Sequence, residues 1–433
     1  MAKIGWKSAA ALVIANMIGT GAFTTLGIQL ELVSNGWVII ITWLVGGLVA
    51  LFGAISYAEL GVRLPKSGGE AHFLSEIYHP ILGFLSGWVS LSVGFAAAVA
   101  LAAVAVGRYT YTLTGWPPVW VAVGSIVLLS LLHGYSMRQG SRVQNFLTVL
   151  KLILVAALAV LGFLLPASTS STLDWSFQGT KQIFSAGTAV SLVLVFYAYS
   201  GWNAAAYIVG EIKQPSKNLP KALIGGSLLV SGLFIMLQLS FLRQAGPAEL
   251  SGRVEVGQIA AQQMLGLQAG QLISALIGVL LLAGISAMIW VGPRVLESMG
   301  KQYEPWRILA KRSKRGLPIR AIWLQSSISI FLVLTASFEG ILYYSGFVLQ
   351  LFTMLAVYGL IRLRIRQPKA AWVSPLFPIA QWLYLAFSAY ALIYMLFTEP
   401  TESLLGLLNV ATGIIAYLMG SKQQSLGGSG YHG

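Results

Sequence analysis

Long apolar stretches recur along this chain and constrain its fold more than any other feature. A helix that crosses the roughly 30 Å hydrocarbon core of a bilayer needs about 20 apolar residues. Twelve stretches have this character, and they lie at 7–30, 36–62, 81–107, 117–134, 143–165, 185–210, 221–242, 270–297, 319–336, 341–361, 375–397 and 403–420. Of the 433 residues, 57% are hydrophobic and only 9% are charged, whereas soluble domains carry about 25% charged residues. The sequence therefore predicts an all-α membrane protein with twelve transmembrane helices and excludes a water-soluble enzyme.

The charged residues indicate how the chain is oriented in the membrane. Lys and Arg number 27 against 13 Asp and Glu, a net charge of +14, and basic residues favour cytoplasmic loops. If the N-terminus is cytoplasmic, the outer loops contain only Arg108, Lys181, Arg243 and Arg253. The excess of basic residues thus indicates the orientation of the chain in the membrane and not binding of nucleic acid. We expect both termini to be cytoplasmic. A polar segment near 254–266 is too short to span and is predicted to be an interfacial helix.

Two of the stretches are interrupted near their middle by glycine and polar residues. The first contains Ile18-Gly19-Thr20-Gly21, and the sixth contains Tyr197-Ala198-Tyr199-Ser200-Gly201-Trp202-Asn203. Ile18 lies eleven residues from Lys7, and Ser200 lies eleven residues from Glu211. At 1.5 Å per residue, each break is about 16 Å from its cytoplasmic end. Equal depth and opposite chain direction are what an inverted five-helix repeat requires.

These interruptions have two interpretations. Small residues allow close helix packing in membranes, and this interpretation stays open for the first stretch taken alone. Broken helices at the midplane, however, leave N–H and C=O groups that hydrocarbon cannot satisfy, so they line a cavity or bind a ligand. Half-helix amino ends attract a carboxylate, and exposed carbonyls attract an ammonium group. An α-amino acid has both groups on one carbon and fits between two such breaks.

Lys151 is a formal charge that lies well inside a stretch, between Leu150 and Leu152. A charge at this depth costs about 2.5–3.5 kcal/mol on insertion scales, and such residues are functional by default. We expect its ammonium to face the bundle and to bond to carbonyls near Ile18 and Gly19. It then either carries a transported proton or remains protonated as a structural cation. Snorkelling to the interface is the third interpretation.

Further side chains are candidates for gating or lining the substrate path. They are Tyr197, Tyr199, Trp202 and Asn203 at the second break, with Ser286, Tyr343 and Tyr344 elsewhere. No spacing of His, Cys and carboxylates matches a metal site. No Gly-rich loop follows a strand, and no Ser/His/Asp set lies in the predicted cytoplasmic loops. The sequence predicts no cofactor, no metal and no catalytic residue.

Eight segments, taken in order, carry a resemblance to a known family. They are Ile18–Gly21, Tyr57–Leu60, Leu64–Glu70, Tyr199–Asn203, Glu211–Pro215, Asn218–Pro220, Gly292–Leu296 and Arg315–Pro318. With these segments the chain resembles the amino acid–polyamine–organocation superfamily, especially its bacterial amino acid permeases and L-type amino acid transporters. The resemblance extends over essentially the whole chain.

The resemblance implies a leucine-transporter-type fold. Residues 1–165 and 166–365 would form two inverted repeats of five helices, and residues 366–433 would add two helices and a cytoplasmic tail. The glycine motif of the first break and the second break would hold the α-carboxylate and α-amino groups, with Tyr197 as a gate and Lys151 near the first break. L-type transporters of animals are joined by a disulfide to a glycoprotein partner, and this chain has no cysteine, so that link is excluded.

The leading expectation is a secondary transporter of α-amino acids in a bacterial inner membrane, driven by proton symport or by exchange. Neutral substrates are favoured because no carboxylate lies in the predicted membrane interior. A permease for cationic amino acids or polyamines is one alternative. A membrane-embedded amino acid sensor without net transport is another, although the short basic loop at 298–318 offers it no output module.

Overall fold

The described part of the chain is helical throughout. The structure, a computed structural model, describes residues 3–135, 141–167, 173–302, 306–314 and 316–427. Within these ranges there is no β-strand, and two isolated bridges join Ile4 to Ile212 and Asn35 to Asp174. The predicted tail beyond residue 427 lies outside the described residues. The all-α prediction is confirmed.

The described residues up to Leu164 form nine helical elements. In order they are α1 (Trp6–Met17), α2 (Gly21–Leu32), α3 (Gly36–Arg63), α4 (Glu70–Ile77), α5 (Pro80–Val89), a π-helical segment (Ser90–Ala97), α6 (Ala98–Thr114), α7 (Pro118–Tyr135) and α8 (Ser141–Leu164). The π-helical segment joins α5 to α6, so the three form one continuous rod.

The second half begins with a 3₁₀ helix and continues to the end of the described chain. Its elements are the 3₁₀ helix Gln178–Phe184, α9 (Ala186–Ala198), the 3₁₀ helix Ala204–Glu211, α10 (Pro215–Gln244), α11 (Pro247–Leu250), α12 (Val256–Leu265), α13 (Leu267–Gln302), α14 (Arg307–Ala310), α15 (Ile319–Thr335), α16 (Phe338–Arg366), α17 (Ile379–Thr398) and α18 (Pro400–Gly427). The short helix predicted near 254–266 is α12.

Ten helices in the described ranges are long and apolar enough to cross a membrane, and the number is eleven if one bent pair counts as a span. That pair is the 3₁₀ helix Gln178–Phe184 with α9, which meet at 69°. The apolar helix α15 has 17 residues, which extend about 26 Å at 1.5 Å per residue. A multi-pass membrane protein is therefore confirmed, whereas length and composition yield ten or eleven spans instead of twelve.

Sequence signals set the ends of α3, the helix on which much of the core packs. Asn35 caps its amino end, because the Asn35 side chain accepts a hydrogen bond from the Val38 amide at 3.2 Å. The helix ends at Arg63, two residues before Pro65, where a proline disfavours continued helix. Helix α3 packs along α10 and contacts α9, α16 and α17. It therefore lies between α9, which ends at the second break, and the later helices α10, α16 and α17.

The buried carboxylate of Glu59 links the end of α3 to α16. It forms an ion pair with Arg63 at 2.6 Å and with Arg364 at 3.4 Å, and it accepts a hydrogen bond from the Ser374 amide at 2.7 Å. A buried charge needs such partners because an uncompensated one is strongly destabilising. Glu59 thereby holds the segment between α16 and α17 against the end of α3.

Candidate functional site

The first break separates α1 from α2 at residues 18–20. The Ile18 amide still donates to the Ile14 carbonyl at 3.0 Å, but the Gly19 amide turns to the Met17 carbonyl at 2.9 Å. Helix α2 then starts at Gly21, and the first amides of a helix have no intrahelical acceptor. The side chain of Ile18 is buried, as is that of Thr20. The break therefore presents backbone groups of Gly19 and Gly21 rather than side chains.

The second break follows α9 at residues 199–203. The Ser200 amide donates to the Tyr197 carbonyl at 2.9 Å, and the Ala204 amide donates to the Gly201 carbonyl at 3.0 Å. Gly201 has a φ of +96°, a conformation that glycine adopts without the steric penalty of other residues. Ala204–Glu211 then continues as a 3₁₀ helix with Asn203 at its N-cap. The glycine is thus required by the turn that interrupts the helix.

The two breaks lie directly against each other. A methyl group built on Gly21 would lie 2.5 Å from the Ala198 Cα, and one built on Gly201 would lie 2.7 Å from the Asn16 carbonyl carbon. Real Cβ atoms do not approach other atoms this closely. Glycine is therefore needed at both positions, and the halves of the two broken helices cross backbone to backbone.

This crossing brings opposite helix ends together. The amino end of α2 lies beside the carboxyl end of α9, since Gly21 begins one helix and Ala198 ends the other. A helix amino end carries a partial positive charge and free N–H groups, and a carboxyl end carries a partial negative charge and free C=O groups. The arrangement offers donors for a carboxylate and acceptors for an ammonium group a few ångströms apart. It can therefore bind a zwitterion through backbone groups alone.

One side of the crossing is open. A methyl group on Gly19 would meet no atom within 4 Å. Ser200 and Gly201 are half-buried, and the neighbouring Asn16 is exposed although it lies in the middle of the α1–α2 unit. Hydrocarbon does not accommodate exposed polar backbone or amide groups. The break is therefore accessible from this side of the crossing.

Lys151 is half-buried on α8 and approaches α13. Its Nζ lies 3.9 Å from the position that a Cβ on Gly284 would occupy. The hydrogen bonds described for this structure include none from Lys151 to the carbonyls of Ile18 or Gly19. No group of three or more His, Asp or Glu side chains converges in the described ranges as metal ligands do. The Lys151 side chain thus faces α13 in this conformation.

Tyr197 lies where α9 meets α16. Its side chain is buried, and its Cβ is 3.8 Å from the position of a methyl group on Gly346. Tyr343 is buried one turn before Gly346 on the same helix, and its neighbour Tyr344 lies within reach of Ser92. Of Tyr197, Tyr343 and Tyr344, it is Tyr197 that the structure places next to the second break, where it contacts α16.

Tyr199 and Trp202 point into the helix packing instead. The Tyr199 hydroxyl donates a hydrogen bond to the Trp43 carbonyl at 3.0 Å, and the residue is 1% exposed. The Trp202 ring meets the Tyr57 ring edge to face, with 4.7 Å between the centroids. Both side chains therefore pack against α3, and only their backbone belongs to the break.

Asn203 is held by Glu70, a residue that the sequence pattern did not indicate as part of the site. Its Nδ2 donates to the Glu70 carboxylate at 2.6 Å. Tyr57 and Tyr207 donate to the same carboxylate at 2.8 Å and 2.5 Å. The motif Leu64–Glu70 contains this glutamate, so the signal was a carboxylate directly after two glycines.

Ser286 and Gln238 are two further polar residues of the membrane-spanning helices. Ser286 hydrogen-bonds the Nε2 of the buried His133 at 2.8 Å, which ties α13 to α7. Gln238 of α10 is fully buried and donates to the Ala22 carbonyl at 3.2 Å. It was also missed from the sequence, where its only signal is an amide within an apolar stretch. It fixes the first turn of α2 at the crossing.

Known proteins resemble this chain over nearly its full length. Residues 4–419 match the family described as amino acid permease. The large neutral amino acids transporter small subunit 2 of Mus musculus is 28% identical, covering 96% of this chain and 81% of that protein. The serine/threonine exchanger SteT of Bacillus subtilis (strain 168) is 27% identical, covering 96% of each chain. The b(0,+)-type amino acid transporter 1 of Homo sapiens is 27% identical, covering 96% and 87%.

Proposed function

The chain belongs to the amino acid permease family, and from this premise we propose that it exchanges neutral α-amino acids across a bacterial inner membrane by alternating access. The observation that carries the proposal is the contact between Gly21 and Ala198. There the donors that begin α2 and the acceptors that end α9 can bind the α-carboxylate and α-amino groups of one substrate. An amino acid permease is a transporter, not an enzyme.

Neutral substrates are supported by the charges around the crossing. Lys151 lies on α8, which contacts α1, and its positive charge would repel a cationic side chain. The nearby carboxylate of Glu70 already accepts three hydrogen bonds. Two relatives are named for neutral amino acids, as a large neutral amino acids transporter subunit and a serine/threonine exchanger.

The proposed architecture has twelve spans and two inverted repeats. Residues 1–165 would form the first repeat, residues 166–365 the second, and residues 366–433 the last two helices with the tail. The breaks after α1 and after α9 support this division, because each falls in the first span of its repeat and the two cross each other. Both termini would then be cytoplasmic, as the basic loops favour. No disulfide-linked partner is expected, because the chain has no cysteine.

Lys151 is proposed to act as a fixed cation rather than as a proton carrier. Its position opposite Gly284 lets it steady α8 against α13, and the α1 break lies on the neighbouring helix. One of the relatives is an exchanger by name, and exchange requires no coupled proton. In the alternative, Lys151 releases a proton during each cycle and transport is proton symport.

Proteoliposomes distinguish these functions. Purified protein would be reconstituted with an unlabelled neutral amino acid inside, and uptake of a labelled panel of neutral, cationic and acidic amino acids and polyamines would be measured. The proposal predicts counterflow of neutral amino acids that needs internal substrate and does not respond to a pH gradient. Uptake into empty vesicles driven by a pH gradient would identify proton symport, and uptake of cationic compounds alone would identify the cationic permease. Binding of amino acids without any flux would identify a sensor.

A further inference from the structure

The carboxylate of Glu70 is buried without a cation beside it. Glu70 is 6% exposed. Its Oε1 accepts hydrogen bonds from the Tyr57 hydroxyl at 2.8 Å and the Asn203 amide at 2.6 Å, and its Oε2 accepts one from the Tyr207 hydroxyl at 2.5 Å. Among the described residues no Lys, Arg or His forms an ion pair with it. Burial raises the pKa of the Glu70 carboxyl, and the bonds from Tyr207, Tyr57 and Asn203 oppose that rise.

This carboxylate joins elements that are far apart in the chain. Helix α4, which Glu70 begins, packs against α5 and α16. Tyr57 belongs to α3, while Asn203 and Tyr207 lie four residues apart at the start of the 3₁₀ helix after the second break. The Gly68 amide also donates to the Tyr207 carbonyl at 3.0 Å. The start of this 3₁₀ helix is therefore held against α4 through both side chains and backbone.

The position of Asn203 matters because it follows the break directly. Gly201 is two residues earlier, and it lies against the Asn16 backbone. Asn203 occupies the N-cap position of the 3₁₀ helix, and its amide donates to Glu70 instead of capping the helix, so that amide is not available to a substrate. A shift of Asn203 would move Gly201 and the carbonyls that end α9.

We propose that Glu70 is a positioning residue for substrate binding: it holds Asn203 so that the backbone of the second break keeps the geometry that binds the amino acid. The inference rests on the proposed function. It differs from a purely structural role, since a loss of Glu70 changes the affinity for substrate in protein that is still folded.

The test is the KM of counterflow in proteoliposomes, measured together with thermal unfolding in detergent. Glu70→Gln and Asn203→Ala should each raise KM for a neutral amino acid about tenfold or more, as expected for loss of a hydrogen bond to a charged group. The double variant should be no worse than either single variant, because both act on the same contact: Glu70→Gln removes the charge of the acceptor, and Asn203→Ala removes the donor. The exchange variant Glu70→Gln/Asn203→Asp should bring KM back to within about threefold of wild type, because a Gln amide then donates to an Asp carboxylate.

Glu59→Gln is the matched control. It also removes a buried carboxylate near the end of α3, but the partners of Glu59 are Arg63, Arg364 and Ser374 rather than the residues after the break. It should leave KM within about twofold of wild type even if it lowers the unfolding temperature.

Several outcomes would overturn the inference. These are a KM of Glu70→Gln within twofold of wild type, additive effects in the double variant, or a folded exchange variant that does not recover. If Glu70→Gln does not fold, Tyr207→Phe removes one donor and keeps the carboxylate; it should raise KM at least threefold, and an unchanged KM overturns the inference. A wild-type protein that transports no amino acid contradicts the proposed function itself, whereas active wild type with unaffected variants contradicts only the role of Glu70.

Discussion

Gly21 and Ala198 meet so closely that a methyl group on Gly21 would lie 2.5 Å from the Ala198 Cα and 2.7 Å from its Cβ. The neighbouring Gly19 has no atom within 4 Å of the same position. Glycine is thus found at these two positions of one motif for different structural reasons. Gly21 allows two broken helices to cross, and Gly19 leaves an open space beside that crossing.

Gly21→Ala should destabilise the protein. The added methyl group meets backbone as well as side chain, so α2 and α9 must separate, and overpacking of this kind costs about 1–3 kcal/mol. Thermal unfolding in detergent should show a clearly lower transition temperature and a smaller yield of monodisperse protein. An unchanged transition temperature would mean that α2 and α9 do not cross as closely as described.

Gly19→Leu should give a folded protein that does not transport. The side chain enters open space beside the break, so it blocks the backbone groups without displacing α2. Counterflow of a neutral amino acid should fall at least tenfold while the unfolding temperature stays near that of wild type. Gly232→Leu is the control, because Gly232 on α10 also has no atom within 4 Å and lies away from the breaks. Wild-type transport by Gly19→Leu would show that the open space is not the binding site.

Tyr199→Phe should lower the stability of the protein and leave its transport unchanged. It removes the hydrogen bond to the Trp43 carbonyl, which is worth about 0.5–1.5 kcal/mol, while the aromatic packing on α3 remains. The KM for substrate should stay within twofold of wild type. Tyr197→Ala provides the contrast, since loss of its ring beside α16 should impair transport. A large change in KM for Tyr199→Phe would indicate that the Tyr199 hydroxyl takes part in substrate binding.

Lys151→Met should reduce counterflow at least tenfold in protein that folds. Methionine has similar length and no charge, so it removes the cation between α8 and α13 while keeping most of the packing. Wild-type vesicles should show no acidification on substrate addition, because the lysine remains protonated in the proposed mechanism. Substrate-driven acidification in wild type that disappears in Lys151→Met would instead identify Lys151 as a proton carrier. Counterflow at wild-type rates by the variant would leave snorkelling as the explanation.

The sequence predicted the features that depend on local pattern. Hydropathy placed the long helices, and the interruptions at Gly19 and Gly201 placed both breaks, because glycine and polar residues are costly within a membrane helix. Side-chain direction could not be predicted in the same way. Tyr197 and Tyr199 are two residues apart, so helix geometry places them on opposite faces, about 200° apart. Which face meets α16 and which packs on α3 is set by the tertiary structure and not by local pattern.

The contacts of Glu70 show the same limit. Asn203 is 133 residues away from it, and no periodicity joins the two positions. A single sequence identifies a carboxylate after two glycines but not the side chains that approach it. The open side of the crossing is likewise a property of the packed helices, since the exposure of Asn16 depends on how the helices around α1 are arranged.

Exchange of neutral amino acids at the crossing is tested by counterflow of a labelled neutral amino acid into proteoliposomes of purified wild-type protein. We expect rapid accumulation when the vesicles contain unlabelled neutral amino acid, little uptake when they are empty, and loss of the signal in Gly19→Leu vesicles. Uptake no greater than that of protein-free liposomes, for every neutral amino acid tried, would contradict it.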